Sequence, residues 1–333
     1  MNKSQWFKIL MWICAAILVC AVVMNVTGLF GGSPFGYANA DMYTAGETVL
    51  RETIRNLDIE WINGKVNLET HKEDTVELRE SSDRAIGEDL KLRWWMDGDT
   101  LRVRYAKSGL RLSWNQQKTL TVILPENIVF GEASVSATSA DLNIPGIQAE
   151  KLTMEVTSGS ILAAAEAKQV VAGSTSGDMT LRITGEAESV VAGSTSGRIG
   201  LEAENVGSVA MSSTSGGGSL KVKKAGKAEI GSTSGSISIE AEEAEQVVMG
   251  CTSGSIRATL MQFSQLLVNS TSGDVQVTVK EEPGFIAKLS TTSGKIDYSL
   301  PLSRQGDEYV CGDGSGRVEI GTTSGDIRLD AAK

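Results

Sequence analysis

Few residues in this chain have the type and spacing to do chemistry. The chain has 333 residues and one histidine, His71. That count nearly excludes histidine-built metal clusters and Ser-His or Cys-His nucleophile pairs. Gly173-Ser174-Thr175-Ser176-Gly177 has the outline of a nucleophile elbow. Its central residue is Thr175 rather than serine, and no strand-to-helix pattern follows. The motif also recurs along the chain, which suits a structural turn and makes no sense for a catalytic serine. Asp141, Asp178, Asp274 and Asp326 each follow the turn position and invite a calcium reading. Arg198 and Lys295 occupy the same column in other copies, and the calcium-binding nonapeptide is absent. His71, beside Lys72, Glu73 and Asp74, reads as an exposed turn residue rather than a ligand. Cys14 and Cys20 lie in an apolar N-terminal run, Cys251 at an inward position and Cys311 in a late insertion. Three stacked strands would hold Cys251 and Cys311 roughly 14 Å apart, where a disulfide needs Cα atoms within about 7 Å, so no bridge is expected. The expectation is no catalytic residue, no metal, no cofactor, and a chain that is not an enzyme.

Composition narrows the classes further. Hydrophobic residues make up 41%, aromatic residues only 5%, and the net charge is −10. The apolar fraction is that of a folded chain, and small aliphatic side chains must build its core. So acidic a chain is a poor nucleic-acid binder, because phosphate contacts need clustered Lys and Arg.

The elements that would position these residues begin with an anchor. No charged residue occurs from Ile9 to Ala40. The most apolar stretch, Ile9 to Val26, would span roughly 27 Å as a helix, close to the hydrocarbon thickness of a bilayer. Residues 9–30 are therefore expected to form a transmembrane helix, with Trp6 and Trp12 suited to its interface. Lys3 and Lys8 place residues 1–8 in the cytoplasm and the rest outside the cell. A cleaved signal peptide is the rival reading, with Ala38-Asn39-Ala40 resembling a cleavage site well beyond the apolar run. Residues 31–46 read as a linker.

A repeat governs the remainder. Thr-Ser-Gly recurs with its glycine at Gly159, Gly177, Gly197, Gly216, Gly235, Gly254, Gly273, Gly294 and Gly325. The gaps are 18, 20, 19, 19, 19, 19, 21 and 31 residues, and Thr138-Ser139-Ala140 is a degenerate earlier copy. The longest gap is one period plus an insertion at about Pro301 to Gly316. Two, four and six residues after each corner the side chains are small or apolar, as in Met179, Leu181 and Ile183 or Ile237, Ile239 and Ala241. Before the corner the inward parity flips, as in Val170, Ala172, Ser174 and Ser176 or Val247, Met249, Cys251 and Ser253. Period-2 alternation on both sides of a turn means two strands per repeat, each with one buried face. A 19-residue unit cannot bury that face alone, so copies must stack about 4.8 Å apart.

The expected fold is all-β: a parallel β-solenoid of ten two-strand coils over residues 131–333, with residues 47–130 as a β-rich N-terminal cap. A propeller built from paired repeats is disfavoured, since odd and even copies look alike. Serines one and three residues before each corner are expected to form internal hydroxyl ladders between coils. Ala149, Ala167, Ala187, Val206, Ala225, Ala244 and Phe263 should plug the opposite turn. In the cap, Ile62-Asn63-Gly64-Lys65 reads as a tight hairpin turn, Lys91–Trp95 with Leu101–Tyr105 as a hairpin, and Leu120–Leu124 as a strand. Trp61, Trp94, Trp95 and Trp114 lie here, as cap core or as a ligand platform.

Several of these segments carry a family likeness. Asn56-Leu57-Asp58-Ile59-Glu60-Trp61-Ile62-Asn63-Gly64-Lys65-Val66, Asp97-Gly98-Asp99-Thr100-Leu101, the iterated Thr-Ser-Gly and the closing Thr322-Thr323-Ser324-Gly325-Asp326-Ile327 are the carriers. Over about residues 47–330 the chain resembles the bacterial putative-adhesin family. The resemblance implies a membrane-tethered surface β-solenoid and supplies no catalytic residues.

The candidate binding face is the outward threonine column two residues before each corner: Thr175, Thr195, Thr214, Thr233, Thr252 and Thr271. The leading expectation is a non-catalytic, membrane-anchored binding or adhesion module of the bacterial envelope. Its partners would be the bilayer through residues 9–30 and a cell-wall glycan or envelope protein. The alternative is an accessory regulator of an envelope-stress system acting through a membrane partner. Lys221, Lys223, Lys224 and Lys227, flanked by glutamates, are expected to pair between coils.

Overall fold

The computed structural model describes residues 36–110, 116–280 and 284–332. The expected membrane helix, Cys14, Cys20 and Trp114 lie outside them. Among the described residues, no helix is long and apolar enough to cross a membrane. The described residues are all-β, with two short 3₁₀ turns among them at Ala40–Met42 and Glu88–Leu90. It divides into two compact units, residues 36–184 and 185–332 among those described.

The first unit holds β1 (Thr44–Ala45), β2 (Thr48–Leu50), β3 (Asn56–His71), β4 (Val76–Ser82), β5 (Arg93–Asp97), β6 (Thr100–Arg104), β7 (Lys118–Pro125), β8 (Val129–Ser158) and β9 (Ile161–Ser176). β10 (Met179–Ser194) contributes residues to both units. Within this unit β8 and β9 stack in parallel, Leu142 facing Ile161 and Leu152 facing Val170. The register slips between Ile144 and Ile147. This bulge absorbs the missing residue of the 18-residue repeat.

The N-terminal region is built of the same coils as the repeats. β3 pairs in parallel with β8, from Asn56 opposite Glu132 to Asn67 opposite Asn143. Its other edge pairs in parallel with β6 and then with β7. Ile62 to Lys65 is therefore a coil corner, with Gly64 at φ 106°, and not the expected hairpin turn. A hairpin would have folded the second half of β3 back on the first; here both halves run on alongside β8. The hairpin of β5 and β6 is present, closed at Asp97 and Thr100. The strand ended by Pro125 is present as β7. β4 and β5 cover the outer edges of β7 and β6 in antiparallel fashion, which closes the unpaired edge of the outermost coil.

The second unit continues with β11 (Ile199–Ser213), β12 (Gly218–Ser232), β13 (Ile237–Ser253), β14 (Ile256–Ser272), β15 (Val275–Val279), β16 (Phe285–Ser293), β17 (Ile296–Tyr298), β18 (Ser303–Gln305), β19 (Glu308–Cys311), β20 (Gly316–Ser324) and β21 (Ile327–Ala331). Like positions of successive repeats stand side by side: Leu201 opposite Leu220, Leu220 opposite Ile239, and Ile239 opposite Ala258. These columns are 0–2% exposed. The plug column Val206, Ala225 and Ala244 is buried as expected, and Phe263 is half-buried.

The last coils stack out of chain order. β20 pairs with β14 on one side and β16 on the other, and β21 lies between β15 and β17. The C-terminal segment is thus inserted between two coils that precede it, and the hairpin of β18 and β19 covers β16. This leaves β16 and β17 as the outermost coil. Tyr298, expected inward by parity, is 45% exposed because it lies in that terminal layer. Cys251 and Cys311 are buried and not joined by a disulfide.

Candidate functional site

The corner sequence Thr-Ser-Gly organises the outward face. A Cβ placed on Gly216 would lie 1.9 Å from the Gly197 carbonyl oxygen, and one on Gly235 2.0 Å from that of Gly216. In the first unit Gly159 and Gly177 approach the preceding corner equally closely. Glycine is required because the backbone of one corner rests directly on the next.

The serine three residues before the corner points inward, as expected. Ser174, Ser194, Ser213 and Ser232 are 1–9% exposed. These hydroxyls do not pair with one another, however. Ser194 and Ser213 Oγ accept hydrogen bonds from the Gly197 and Gly216 amides of their own corners, at 2.7 and 2.9 Å. Ser232 Oγ donates to the Gly216 carbonyl of the neighbouring coil at 3.0 Å. At the Gly197 and Gly216 corners this local bond helps close the turn before the glycine. At every corner the backbone carries the next serine out of the core: Ser176, Ser196, Ser215, Ser234, Ser253 and Ser272 are all exposed. The expected internal ladder at that position is therefore absent. An exposed hydroxyl pair appears one residue after the corner instead, Ser236 to Ser255 at 2.9 Å.

The threonine column faces outward throughout. In the second unit Thr214, Thr252 and Thr271 are exposed and Thr195 and Thr233 half-buried; in the first, Thr175 is half-buried. Backbone bonds hold adjacent corners in register, Thr214 N–H to the Ser194 carbonyl and Thr233 N–H to that of Ser213, both at 3.1 Å. The outward edge thus carries two hydroxyl columns, threonine and the serine after it, rather than the single column read from parity. The serine column was missed because strict alternation was carried one residue too far.

The aspartates after the corner have a structural task. Asp141 Oδ1 accepts from the Ser160 amide at 2.9 Å, Asp274 from the Asp326 amide at 2.9 Å, and Asp326 from the Lys295 amide at 2.8 Å. Each caps a backbone donor of the adjacent coil. Charges elsewhere also pair between coils: Lys223 with Glu204 at 2.9 Å and Lys224 with Glu243 at 3.4 Å. Lys221 stands between Glu202 and Glu240. Being exposed, such pairs are worth under about 1 kcal/mol each.

The aromatic residues of residues 47–130 split between core and surface. Trp61 is 1% exposed and packs edge-on against Tyr105, with ring centroids 5.0 Å apart. Lys118 lies between them, 3.9 Å from the Tyr105 centroid and 4.9 Å from that of Trp61. Its ammonium donates to Glu80 Oε1 and the Leu90 carbonyl at 2.5 Å, and to the Tyr105 carbonyl. Burial holds the Lys118 pKa below its usual value, and burial raises that of Tyr105 to about 12. The box is sealed, with Lys118 and Glu80 side chains 0% and 3% exposed, so it stabilises the outermost coil rather than meeting a ligand. Trp94 and Trp95 are half-buried, and Trp95 lies 5.5 Å from Tyr43. Burial likewise raises the Cys251 thiol pKa, which leaves that sulfur unreactive.

A family model described as Toastrack DUF4097 matches the chain twice, over residues 121–229 and 222–330. Three solved structures are similar to it. One is a putative cell adhesion protein from Clostridium sporogenes ATCC 15579, at 12% identity, covering 87% of this chain and 100% of that chain with a TM-score of 0.26. Another is a putative adhesin from Parabacteroides merdae ATCC 43184, at 11% identity, covering 85% and 96%, TM-score 0.40. A third is a putative adhesin from Bacteroides fragilis NCTC 9343, at 14% identity, covering 87% and 98%, TM-score 0.35. No curated protein matches the chain.

Proposed function

The chain belongs to the Toastrack DUF4097 family, and from that premise we propose a non-catalytic binding module of the bacterial cell envelope. Residues 9–30 anchor it in the membrane with residues 1–8 in the cytoplasm, and the coils are displayed outside. The docking face is the outward corner edge of the second unit, Thr195, Thr214, Thr233, Thr252 and Thr271; Thr175 holds the same corner position within the first unit. Its ligand is an extended wall glycan. The observation that supports this reading is the repetition of one threonine and one exposed serine per coil, held in register by backbone bonds. Hydroxyls repeated about every 4.8 Å from coil to coil match a linear polymer better than a compact ligand.

The test is a pull-down of the detergent-solubilised full chain on purified cell wall. Sedimentation of the protein with the wall material is expected. Capture of a membrane protein with no wall binding would favour the accessory-regulator reading instead.

A further inference from the structure

Away from the corner edge, the turn joining β3 to β4 brings the only histidine of the chain together with two glutamates. Ligand-capable atoms of His71, Glu73 and Glu77 lie within 4.8 Å of one another. His71 and Glu77 are half-buried and Glu73 is exposed, so His71 is not the exposed turn residue its neighbours in sequence suggest.

Two observations separate this group from an ordinary acidic patch. The first is the histidine tautomer. His71 Nε2 lies 2.6 Å from the Thr75 carbonyl oxygen. A carbonyl only accepts, so Nε2 carries the proton and Nδ1 keeps its lone pair. A metal-bound imidazole is held in the same way, its second nitrogen donating to a carbonyl or carboxylate. The second is an orphan hydroxyl. Thr75 is 8% exposed, and its Oγ1 has no hydrogen-bond partner. A buried hydroxyl left without a partner is costly to the fold. Thr75 lies between Glu73 and Glu77 in sequence, one residue before β4 begins. Glu77 Oε2 is paired with Arg79 at 2.6 Å, and a carboxylate has a second oxygen to offer.

We propose that His71, Glu73 and Glu77 bind a divalent transition-metal ion of the zinc type, with Thr75 Oγ1 as the hydrogen-bond partner of an ion-bound water. One imidazole nitrogen and two carboxylates suit Zn²⁺ better than Ca²⁺, which takes six to eight oxygens. Three protein ligands leave a coordination position for the water. The ion would clamp the turn that joins β3, an inner strand, to β4, the covering strand of the outermost coil.

The test is calorimetric titration of chelator-treated, detergent-solubilised full chain with Zn²⁺ alone. One saturable equivalent is expected. His71→Gln should weaken it by more than about tenfold, the scale on which even outer-layer partners of a bound histidine act. Glu77→Gln, nearly isosteric, should weaken it comparably, and far-UV circular dichroism reports whether each variant is folded. No saturable Zn²⁺ binding by the wild-type chain, or unchanged affinity in the folded variants, would overturn the proposal.

Discussion

At the scale of single residues, side chains and glycines are placed by the backbone of the next coil. Gly216 and Gly146 make the contrast testable. A Cβ on Gly216 meets the Gly197 carbonyl oxygen at 1.9 Å, whereas one on Gly146 meets nothing within 4 Å. Gly216→Ala is expected to destabilise the second unit by about 3 kcal/mol, the upper range for overpacking. Gly146→Ala should stay within about 0.5 kcal/mol, as surface changes do; denaturant midpoints compare the two. The box around Lys118 makes a prediction in pH. Tyr105 is 3% exposed and donates to the Gln116 carbonyl at 2.8 Å. Its folded pKa is about 12 against 10.0 for the free group. Between those values the folded chain binds more protons than the unfolded chain, so stability falls as pH rises. The loss should approach about 2 kcal/mol across that window. Tyr105→Phe should flatten the decline, as urea unfolding at stepped pH would register; an unchanged slope in that variant would contradict the assignment.

At the scale of elements, two strands far apart in sequence are each paired on both sides within their own unit. β3 lies between β8 and the pair β6 and β7, and β20 lies between β14 and β16. A segment paired on both sides cannot fray alone, so β20 should behave as core although it lies near the C-terminus. Hydrogen exchange is expected to protect the Val318 and Ile320 amides as strongly as those of Val222 and Ile239. Fast exchange at Val318 and Ile320 would contradict the insertion. Removing residues 316–333 should strongly destabilise the second unit, since β14 and β16 each lose a partner. Deleting the β18 and β19 hairpin should cost far less. This out-of-order stacking was not legible in the sequence. The copies ending at Gly294 and Gly325 carry the same inward pattern, so parity gives no preference for which rests on the Gly273 coil. The 31-residue gap revealed an insertion but neither its hairpin nor that the chain doubles back after it.

At the scale of the whole molecule, the repeat was legible because each coil solves the same packing problem with the same residues. Columns such as Leu201, Leu220 and Ile239 are buried where alternation places them. The coils of β3, β6 and β7 read only as a cap, because they lack Thr-Ser-Gly and enclose Trp61, Lys118 and Tyr105 beside aliphatic residues such as Ile59 and Val66. The threonine face was legible as outward; its companion serine column was not, because strand alternation ends at the threonine and the corner begins one residue before the glycine. The proposed glycan edge rests on that outward geometry. Its most direct test is co-sedimentation of the detergent-solubilised full chain with purified cell wall, wild type against Thr195→Lys/Thr214→Lys/Thr233→Lys. Those side chains point away from the core, so the variant should keep its thermal midpoint and lose wall binding. Undiminished binding by the folded triple variant would contradict the account.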